Sequence, residues 1–239
     1  MRLNIFDTVD ELLSRLAEYF IDNANSAIAA KDRFSVALSG GSSPEKLYSL
    51  LASPAFNNRT DWNKIYFFLG DERYVPATDP ANNCRMISKV LFEPLHINAA
   101  QIFPVDTSLP PETAAQKYME AINLHFNGTE PRFDLVLLGL GDNSHTASLF
   151  PFTTILHESS PDVKAVFLPE QQVYRISFTA PLINKAHKVA FLVYGETKAL
   201  AVQNIVAGEI DTEKFPGQLI QPESGNLEWF LDQSAASLI

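Results

Sequence analysis

A short apolar run that ends in a polar, glycine-containing loop constrains the fold of this chain more than any other stretch. Residues 133–138 (FDLVLL) are too few for a helix and rich enough in valine and leucine for a strand that is buried on both faces. Gly139 and Gly141 then mark a sharp turn, and small polar residues surround His145 in the following loop. Because open parallel sheets bind ligands at the carboxyl ends of their strands, this loop predicts a functional site.

The rest of the chain alternates between strand-like and helix-like patterns. Short apolar runs predict strands at 34–38, 65–69, 165–168, 173–178 and 189–194. Helical periodicity and capping signals predict helices over 7–31, 44–52, 82–92, 112–126 and 197–207. The predicted N-caps of the first two are Thr8, in a capping box with Glu11, and Ser43, before Pro44. Residues 227–231 fit either a strand or the start of a final helix. Strands that alternate with helices predict a parallel α/β sheet, and no repeat or linker-like shift divides the chain, so residues 1–239 are expected to form one domain.

Composition narrows the class of protein. With 46% hydrophobic and 19% charged residues, the 239-residue chain is typical of soluble globular proteins. A net charge of −10 argues against nucleic acid as a partner and requires local cations for any anionic substrate. The single cysteine, Cys84, excludes an internal disulfide framework and fits a reducing cytoplasm. No leader-like or membrane-spanning apolar run is present, so we expect a cytoplasmic protein without membrane contact.

The first candidate site is the sequence SGGSSP at 39–44, a glycine turn between a predicted strand and a predicted helix. Glycines let the backbone approach an anion closely, free N–H groups point outward, and the helix dipole favours negative charge. The sequence is neither a Walker A motif nor G-x-G-x-x-G, and an ordinary tight turn explains it equally well. The candidate phosphate-binding residues are Gly40, Gly41, Ser42 and Ser43.

Two further candidates lie at the ends of predicted strands. Asp71 and Arg73 follow the strand at 65–69 and would be a solvated loop in an arbitrary chain. In a parallel sheet, however, they share an edge with the glycine turn and with His145.

His145 differs from the other four histidines, which have no polar cluster nearby. No histidine pair has metal-ligand spacing, so a metal site is unsupported. The alternative role for His145 is to anchor its loop.

Arg175 and Lys198 complete the candidate set. Arg175 interrupts the apolar strand VYRISF, and Lys198 lies in the first turn of a predicted helix. A cation at a helix N-terminus is unfavourable with the dipole, but a bound anion would offset it. A simple surface lysine is the alternative.

Taken together, these stretches resemble the 6-phosphogluconolactonase family, a branch of the superfamily that includes glucosamine-6-phosphate deaminase. The resemblance runs over nearly the whole chain and is carried by ALSGGSSP (37–44), FFLGDERYVP (67–76), DPANNCRM (79–86), LGLGDNSHTASLFP (138–151), RISFT (175–179), GETKA (195–199) and FPGQLIQP (215–222). It implies an α/β fold with an open, mostly parallel sheet and helices on both faces. It also implies hydrolysis of 6-phospho-D-glucono-1,5-lactone to 6-phosphogluconate, in the oxidative pentose phosphate pathway, with no cofactor.

The resemblance also assigns roles to the candidate residues. It makes His145 the general base, Asp71 and Arg73 lining residues of the sugar pocket, and Arg175 and Lys198, together with the SGGSSP turn, the holders of the 6-phosphate. One departure concerns the residues before the histidine, where the family usually has Asp-Gly and this chain has Asn143-Ser144. An asparagine accepts a hydrogen bond but supplies no charge to an imidazolium. Asp142 or Asp71 is therefore a candidate to supply that charge.

Two other functions stay open on the sequence alone. One is an aldose–ketose isomerase or deaminase of the same superfamily, with Asp71 as the base that removes a carbon-bound proton. The other is a sugar-phosphate binding protein without catalytic activity, which the Asn143 departure would permit. The sequence does not choose between a monomer and a homodimer.

Overall fold

The computed structural model describes residues 1–239, in which nine strands and six α-helices follow one another along the chain. Short 3₁₀ turns at Trp62–Lys64, Ala99–Gln101, Thr154–His157, Glu196–Lys198 and Pro216–Leu219 link some of them. In chain order the elements are β1 (Arg2–Phe6), α1 (Val9–Lys31), β2 (Phe34–Leu38), α2 (Ser42–Leu51), β3 (Ile65–Leu69), β4 (Asp71–Arg73), α3 (Asn83–Ile87), α4 (Pro111–His125), β5 (Leu135–Leu138), β6 (Val163–Leu168), β7 (Val173–Phe178), α5 (Ala180–Asn184), β8 (Val189–Val193), α6 (Ala199–Val206) and β9 (Leu227–Asp232).

Six strands form one sheet in the order β1-β9-β8-β5-β2-β3, and every neighbouring pair is parallel. In three of the four inner strands, β2, β5 and β8, every residue is buried, which explains why they are unbroken apolar runs in the sequence. The predicted parallel α/β sheet is confirmed. The loops that follow β2, β3, β5 and β8 lie at the carboxyl edge of this sheet.

Apolar layers cover both faces of this sheet. Phe34, Val36 and Leu38 of β2 face the layer formed with α1 and α2, while Ala37 faces the layer formed with α4, α5 and α6. The alternation follows from the two-residue period of a strand. The sheet is therefore open, with helices on both faces, as the sequence predicts.

A second, three-stranded sheet was not anticipated. It has the order β4-β7-β6 and is antiparallel throughout. Residues 165–168 and 173–178 are strands as predicted, but a short hairpin joins them, and such a connection cannot link parallel neighbours. Residues 71–73, predicted as a loop, form β4. Its register places Arg73 opposite Arg175, so two cations distant in sequence lie side by side.

The ends of several elements test the capping signals. Thr8 caps α1 as predicted, because its hydroxyl accepts from the backbone N–H of Glu11 at 3.2 Å. The prediction that Ser43 caps the second helix is wrong: α2 begins at Ser42, after Gly41 at a φ of 106°. The helix predicted over 82–92 is α3 followed by one π-helical turn, Ser88–Phe92.

The two ends of the chain form neighbouring strands. Residues 227–231, undecided from sequence, lie in the strand β9. β1, which no sequence signal predicted, pairs with β9 at the edge of the sheet, so it carries only a partial apolar pattern. None of the helices combines the length and the apolar composition that a membrane span requires.

Candidate active site

A cleft of about 290 Å³ opens at the carboxyl edge of the parallel sheet. Loops after β2, β5 and β8 line it, together with the strands β4 and β7. It brings together all the predicted site residues except Asn143, namely Gly40, Gly41, Ser42, Ser43, Asp71, Arg73, His145, Arg175 and Lys198. Asn143, on the same loop as His145, lines a neighbouring pocket and is connected to the cleft through its contact with His145.

The loop after β5 holds His145 in a defined position. The N–H of Gly141 donates to the carbonyl of His145 at 2.8 Å, and the hydroxyl of Thr146 donates to the carbonyl of Gly139 at 2.8 Å. The imidazole stacks on Phe150 with 3.9 Å between the ring centroids. A Cβ atom at position 141 would lie 2.1 Å from the imidazole, so only glycine fits beneath the ring. Packing and backbone hydrogen bonds together fix the histidine.

Asn143 determines which nitrogen of His145 carries the proton. Its side-chain oxygen lies 2.5 Å from Nδ1 of His145. Because an amide oxygen can only accept, Nδ1 carries the hydrogen, and the neutral ring keeps its lone pair on Nε2. The asparagine therefore orients the ring as a carboxylate would, without its charge.

The protonated form of His145 is disfavoured in this cleft. Burial is the largest cause of a lowered pKa at His145, and charge repulsion from Lys198, Arg175 and Arg73 adds to it, while Asp142 acts in the opposite direction; the net pKa is about 4. The imidazole is consequently neutral at pH 7. A neutral histidine with a free Nε2 can accept a proton from a bound water.

The glycine turn presents donors that the protein itself does not use. The N–H groups of Gly40 and Gly41 have no acceptor within the chain, and those of Ser42 and Ser43 belong to the first helical turn, which lacks internal acceptors. Beneath the turn, the hydroxyl of Tyr48 accepts from the N–H of Ser39 at 3.1 Å and donates to its carbonyl at 2.8 Å. The turn is thus a rigid anion-binding concavity at the N-terminus of α2.

Lys198 has a carboxylate partner across the cleft. Its ammonium lies 2.7 Å from Oδ1 of Asp142, and its side chain is only 25% exposed. Asp142 therefore pairs with the lysine and does not hydrogen-bond His145. Asn143 occupies the hydrogen-bonding position beside the histidine, while the charge of Asp142 still raises the pKa of His145 from a distance.

Two other charged residues of the cleft have mainly neutral partners. A guanidinium N–H of Arg175 donates to the side-chain oxygen of Gln171 at 3.1 Å, and one of Arg73 donates to the carbonyl of Ala81 at 2.9 Å. Their charges stay available to an anionic ligand.

Asp71 faces the same cleft in a different environment. Its Oδ2 accepts a 2.6 Å hydrogen bond from the hydroxyl of Ser148. Burial raises the pKa of Asp71, and this hydrogen bond and the nearby arginines partly offset the effect. The carboxyl group is held in place for hydrogen bonding to a polar ligand.

Several residues that build the site escaped the sequence analysis. Ser148 fixes Asp71, Phe150 supports the imidazole, and Tyr48 clamps the glycine turn. The first two lie in the stretch LGLGDNSHTASLFP (138–151), which carries the family resemblance but assigns no role to these two residues. Nothing in the local sequence distinguishes Tyr48 from an ordinary core tyrosine.

The fold and the cleft define a class of protein: an α/β enzyme with a neutral histidine beside an anion-binding turn. The family model described as glucosamine-6-phosphate isomerases/6-phosphogluconolactonase matches residues 7–229. The chain therefore belongs to this family.

Individual relatives support the assignment. A 6-phosphogluconolactonase of Synechocystis is 40% identical over 228 residues, which are 94% of this chain and 92% of the relative. The solved 6-phosphogluconolactonase of Trypanosoma cruzi superimposes with a TM-score of 0.88 at 27% identity, covering 99% of this chain and 96% of that one. A monomeric glucosamine-6-phosphate deaminase has a TM-score of 0.86 at 21% identity, with full coverage of both chains, so it shares the fold. The fold alone does not separate the two activities.

Proposed function

We propose that this protein hydrolyses 6-phospho-D-glucono-1,5-lactone to 6-phospho-D-gluconate, in the pentose phosphate pathway, with a water activated by His145. Relatives that are 32% to 40% identical to this chain carry the name of this activity. The single observation that carries the mechanism is the neutral His145, whose Nδ1 is held by Asn143 while Nε2 faces no partner in the protein. A lactone carbonyl is electrophilic, so an activated water suffices without a covalent intermediate.

The phosphate end of the substrate would bind where free donors and cations converge. The glycine turn, Arg175 and Lys198 all line the cleft. Binding there fixes C1 of the lactone relative to His145 and converts remote binding energy into orientation. Asp71 would hydrogen-bond the hydroxyl groups of the sugar.

In the chemical step, His145 first accepts a proton and then returns it. Nε2 of His145 removes a proton from water as the oxygen attacks C1, and the carbonyl oxygen becomes an oxyanion. Arg73 or free loop N–H groups stabilise that charge. The C1–O5 bond breaks as the imidazolium returns its proton to the ring oxygen, which leaves the acid product and a neutral histidine.

A coupled or pH-stat assay on freshly generated 6-phosphogluconolactone, corrected for spontaneous hydrolysis, tests this proposal. Acid release far above the spontaneous rate is the expected result. Ammonia release from glucosamine 6-phosphate would instead identify a deaminase with Asp71 as its base. Tight binding of 6-phosphogluconate without turnover would identify a sugar-phosphate binding protein.

The first prediction concerns the phosphate end. Arg175→Ala and Lys198→Ala should each lower kcat/KM by about tenfold to a hundredfold, because each removes a charge-assisted hydrogen bond. Lys185→Ala is a matched control, since its ion pairs with Glu130 and Glu223 lie outside the cleft. Equal turnover of the phosphorylated and unphosphorylated lactones by the unaltered protein would contradict the phosphate assignment.

The second prediction concerns the departure at position 143. Asn143→Asp should raise the pKa of His145 and increase the hydrolysis rate by about tenfold, since a charged acceptor stabilises the imidazolium better than an amide does. Asn143→Ala should lower the rate, because the ring loses the group that fixes its tautomer. If Asn143→Asp leaves both the rate and the acid limb of the pH profile unchanged, the charge partner lies elsewhere, with Asp71 the next candidate.

A further inference from the structure

The charged groups around His145 are mainly positive. Three cations face it from three different elements: Lys198 from the turn before α6, Arg175 from β7 and Arg73 from β4. The carboxylates nearby are those of Asp142, on the histidine's own loop, and Asp71, on β4. During hydrolysis His145 takes a proton from water and becomes a fourth cation in the same cleft. The three cations therefore oppose the protonation of His145 that hydrolysis requires.

Only one of the three cations has a carboxylate within ion-pair distance. Lys198 contacts Asp142 at 2.7 Å, whereas Arg175 and Arg73 contact the neutral oxygens of Gln171 and Ala81. The two partners differ in exposure, since the lysine side chain is 25% exposed and the aspartate side chain 69%. The lysine is held in the cleft, and the aspartate lies at its rim, where water can solvate it. An incoming dianion can thus replace Asp142 at small cost.

We propose that the phosphate group of the substrate acts on the chemical step as well as on binding: it takes Lys198 from Asp142, pairs with Arg175, and so stabilises the protonated His145 that hydrolysis creates. This inference rests on the proposed function. A phosphate dianion brings two negative charges where Asp142 supplies one. The phosphate that orients the substrate thus also supplies the negative charge that stabilises the protonated His145. It therefore raises kcat as well as lowering KM.

The size of the effect follows from Coulomb's law. At the effective dielectric of about 20 that suits partly buried sites, one unit charge several ångströms from the imidazolium changes the rate by about tenfold to a hundredfold. A dianion that binds at Lys198 and Arg175 without being attached to the substrate should have an effect of the same order.

The test separates the phosphate from the sugar. D-Glucono-1,5-lactone, which lacks the phosphate, is hydrolysed with and without phosphite dianion at saturating concentration, with sodium chloride at matched ionic strength as the control. The expected result is an increase of about tenfold or more in the enzyme-catalysed rate. Competition of phosphite with the phosphorylated lactone defines saturation. Phosphite that competes but leaves the rate for the unphosphorylated lactone unchanged would overturn the inference while leaving lactonase activity intact. A protein inactive on the phosphorylated lactone would overturn both.

A second measurement reads the histidine directly. Sulfate stays a dianion throughout the relevant pH range, so an NMR titration of His145 with and without sulfate reports the imidazole alone. Sulfate should raise the pKa of His145 toward its ordinary value. Asp142→Asn should lower the pKa in the free protein but not in the sulfate complex, because the anion has already replaced Asp142 there.

Glu196→Gln is the matched control for that variant. It removes the same charge two residues from Lys198, on an exposed side chain without an ion pair. It should leave the pKa of His145 nearly unchanged in both states. A pKa that does not respond to bound sulfate, or that responds equally to Asp142→Asn and Glu196→Gln, would overturn the inference.

Discussion

His145→Ala should remove most of the catalysed rate, with a loss on the order of a hundredfold or more. This is the usual size of a general-base contribution. The unaltered protein should lose activity on the acid side, and burial together with three cations places that limb for the free enzyme near pH 4, well below that of an ordinary histidine. The acid limb should be absent from the residual activity of the variant. Initial rates of lactone hydrolysis between about pH 3 and 8 provide the measurement.

The variant should fold and should still bind the product. The loop is held by backbone and threonine hydrogen bonds that do not use the imidazole, such as those from Gly141 and Thr146. The phosphate contacts lie on other loops, so 6-phosphogluconate affinity should be retained. His157→Ala is a suitable control, because that imidazole is 68% exposed and lies outside the cleft. Near-normal turnover by His145→Ala would eliminate the mechanism, and an unfolded variant would favour the role of a loop anchor.

The sequence predicts the location of this site because strand ends in a parallel sheet share an edge. Because 34–38, 65–69 and 133–138 each have the pattern of a buried strand, the glycine turn, Asp71 and His145, which follow these strands, are expected at one edge of the sheet. Some of the side-chain chemistry within a loop can also be predicted, because it depends on neighbours in the chain. Asn143 lies two residues before His145, so a hydrogen bond between them was within reach of sequence reasoning.

Contacts between segments that are far apart in the sequence cannot be predicted in this way. The pairing of β4 with β7 sets Arg73 opposite Arg175, and nothing in either segment encodes that register. The ion pair between Asp142 and Lys198 depends on how the loop after β5 and the turn before α6 approach each other. From sequence, Asp142 was an equally good candidate for a contact with His145. Such choices are decided by packing over long separations, to which local patterns are insensitive.

The environment of Glu72 also depends on contacts between distant segments, and we expect its substitution to have a large effect on stability. In the sequence it is the middle residue of a charged triplet that would usually be solvated. In the structure its side chain is fully buried, and its carboxyl oxygens accept from the backbone N–H groups of Arg73 at 2.8 Å, Asn83 at 2.7 Å and Cys84 at 2.9 Å. It therefore ties β4 to the start of α3. Burial raises the pKa of Glu72 to about 7, although these three donors favour its charged form.

Glu72→Ala should lower the free energy of unfolding by about 3 to 5 kcal/mol, because it leaves three buried backbone N–H groups without a hydrogen-bond acceptor. Urea denaturation followed by tryptophan fluorescence measures the loss. Glu93→Ala is a control with an exposed side chain of the same type. Since Arg73 borders the cleft, kcat/KM should fall as well. A variant as stable as the parent would show that the buried carboxyl group does not tie these elements together.

The same residue should make stability depend on pH. Because its pKa in the folded protein is raised above the unfolded value of about 4.5, the folded state binds more protons between about pH 4.5 and 7. The contribution is fully present below the unfolded pKa and is lost as pH rises through the folded pKa. The parent should thus lose stability between about pH 5 and 8 relative to Glu72→Gln, which cannot titrate. The glutamine oxygen can still accept from Arg73 and Asn83, but its amide nitrogen would face the N–H of Cys84, so some loss at every pH is expected. Parallel stability curves for the two proteins would mean that Glu72 is ionised in the folded state throughout this range.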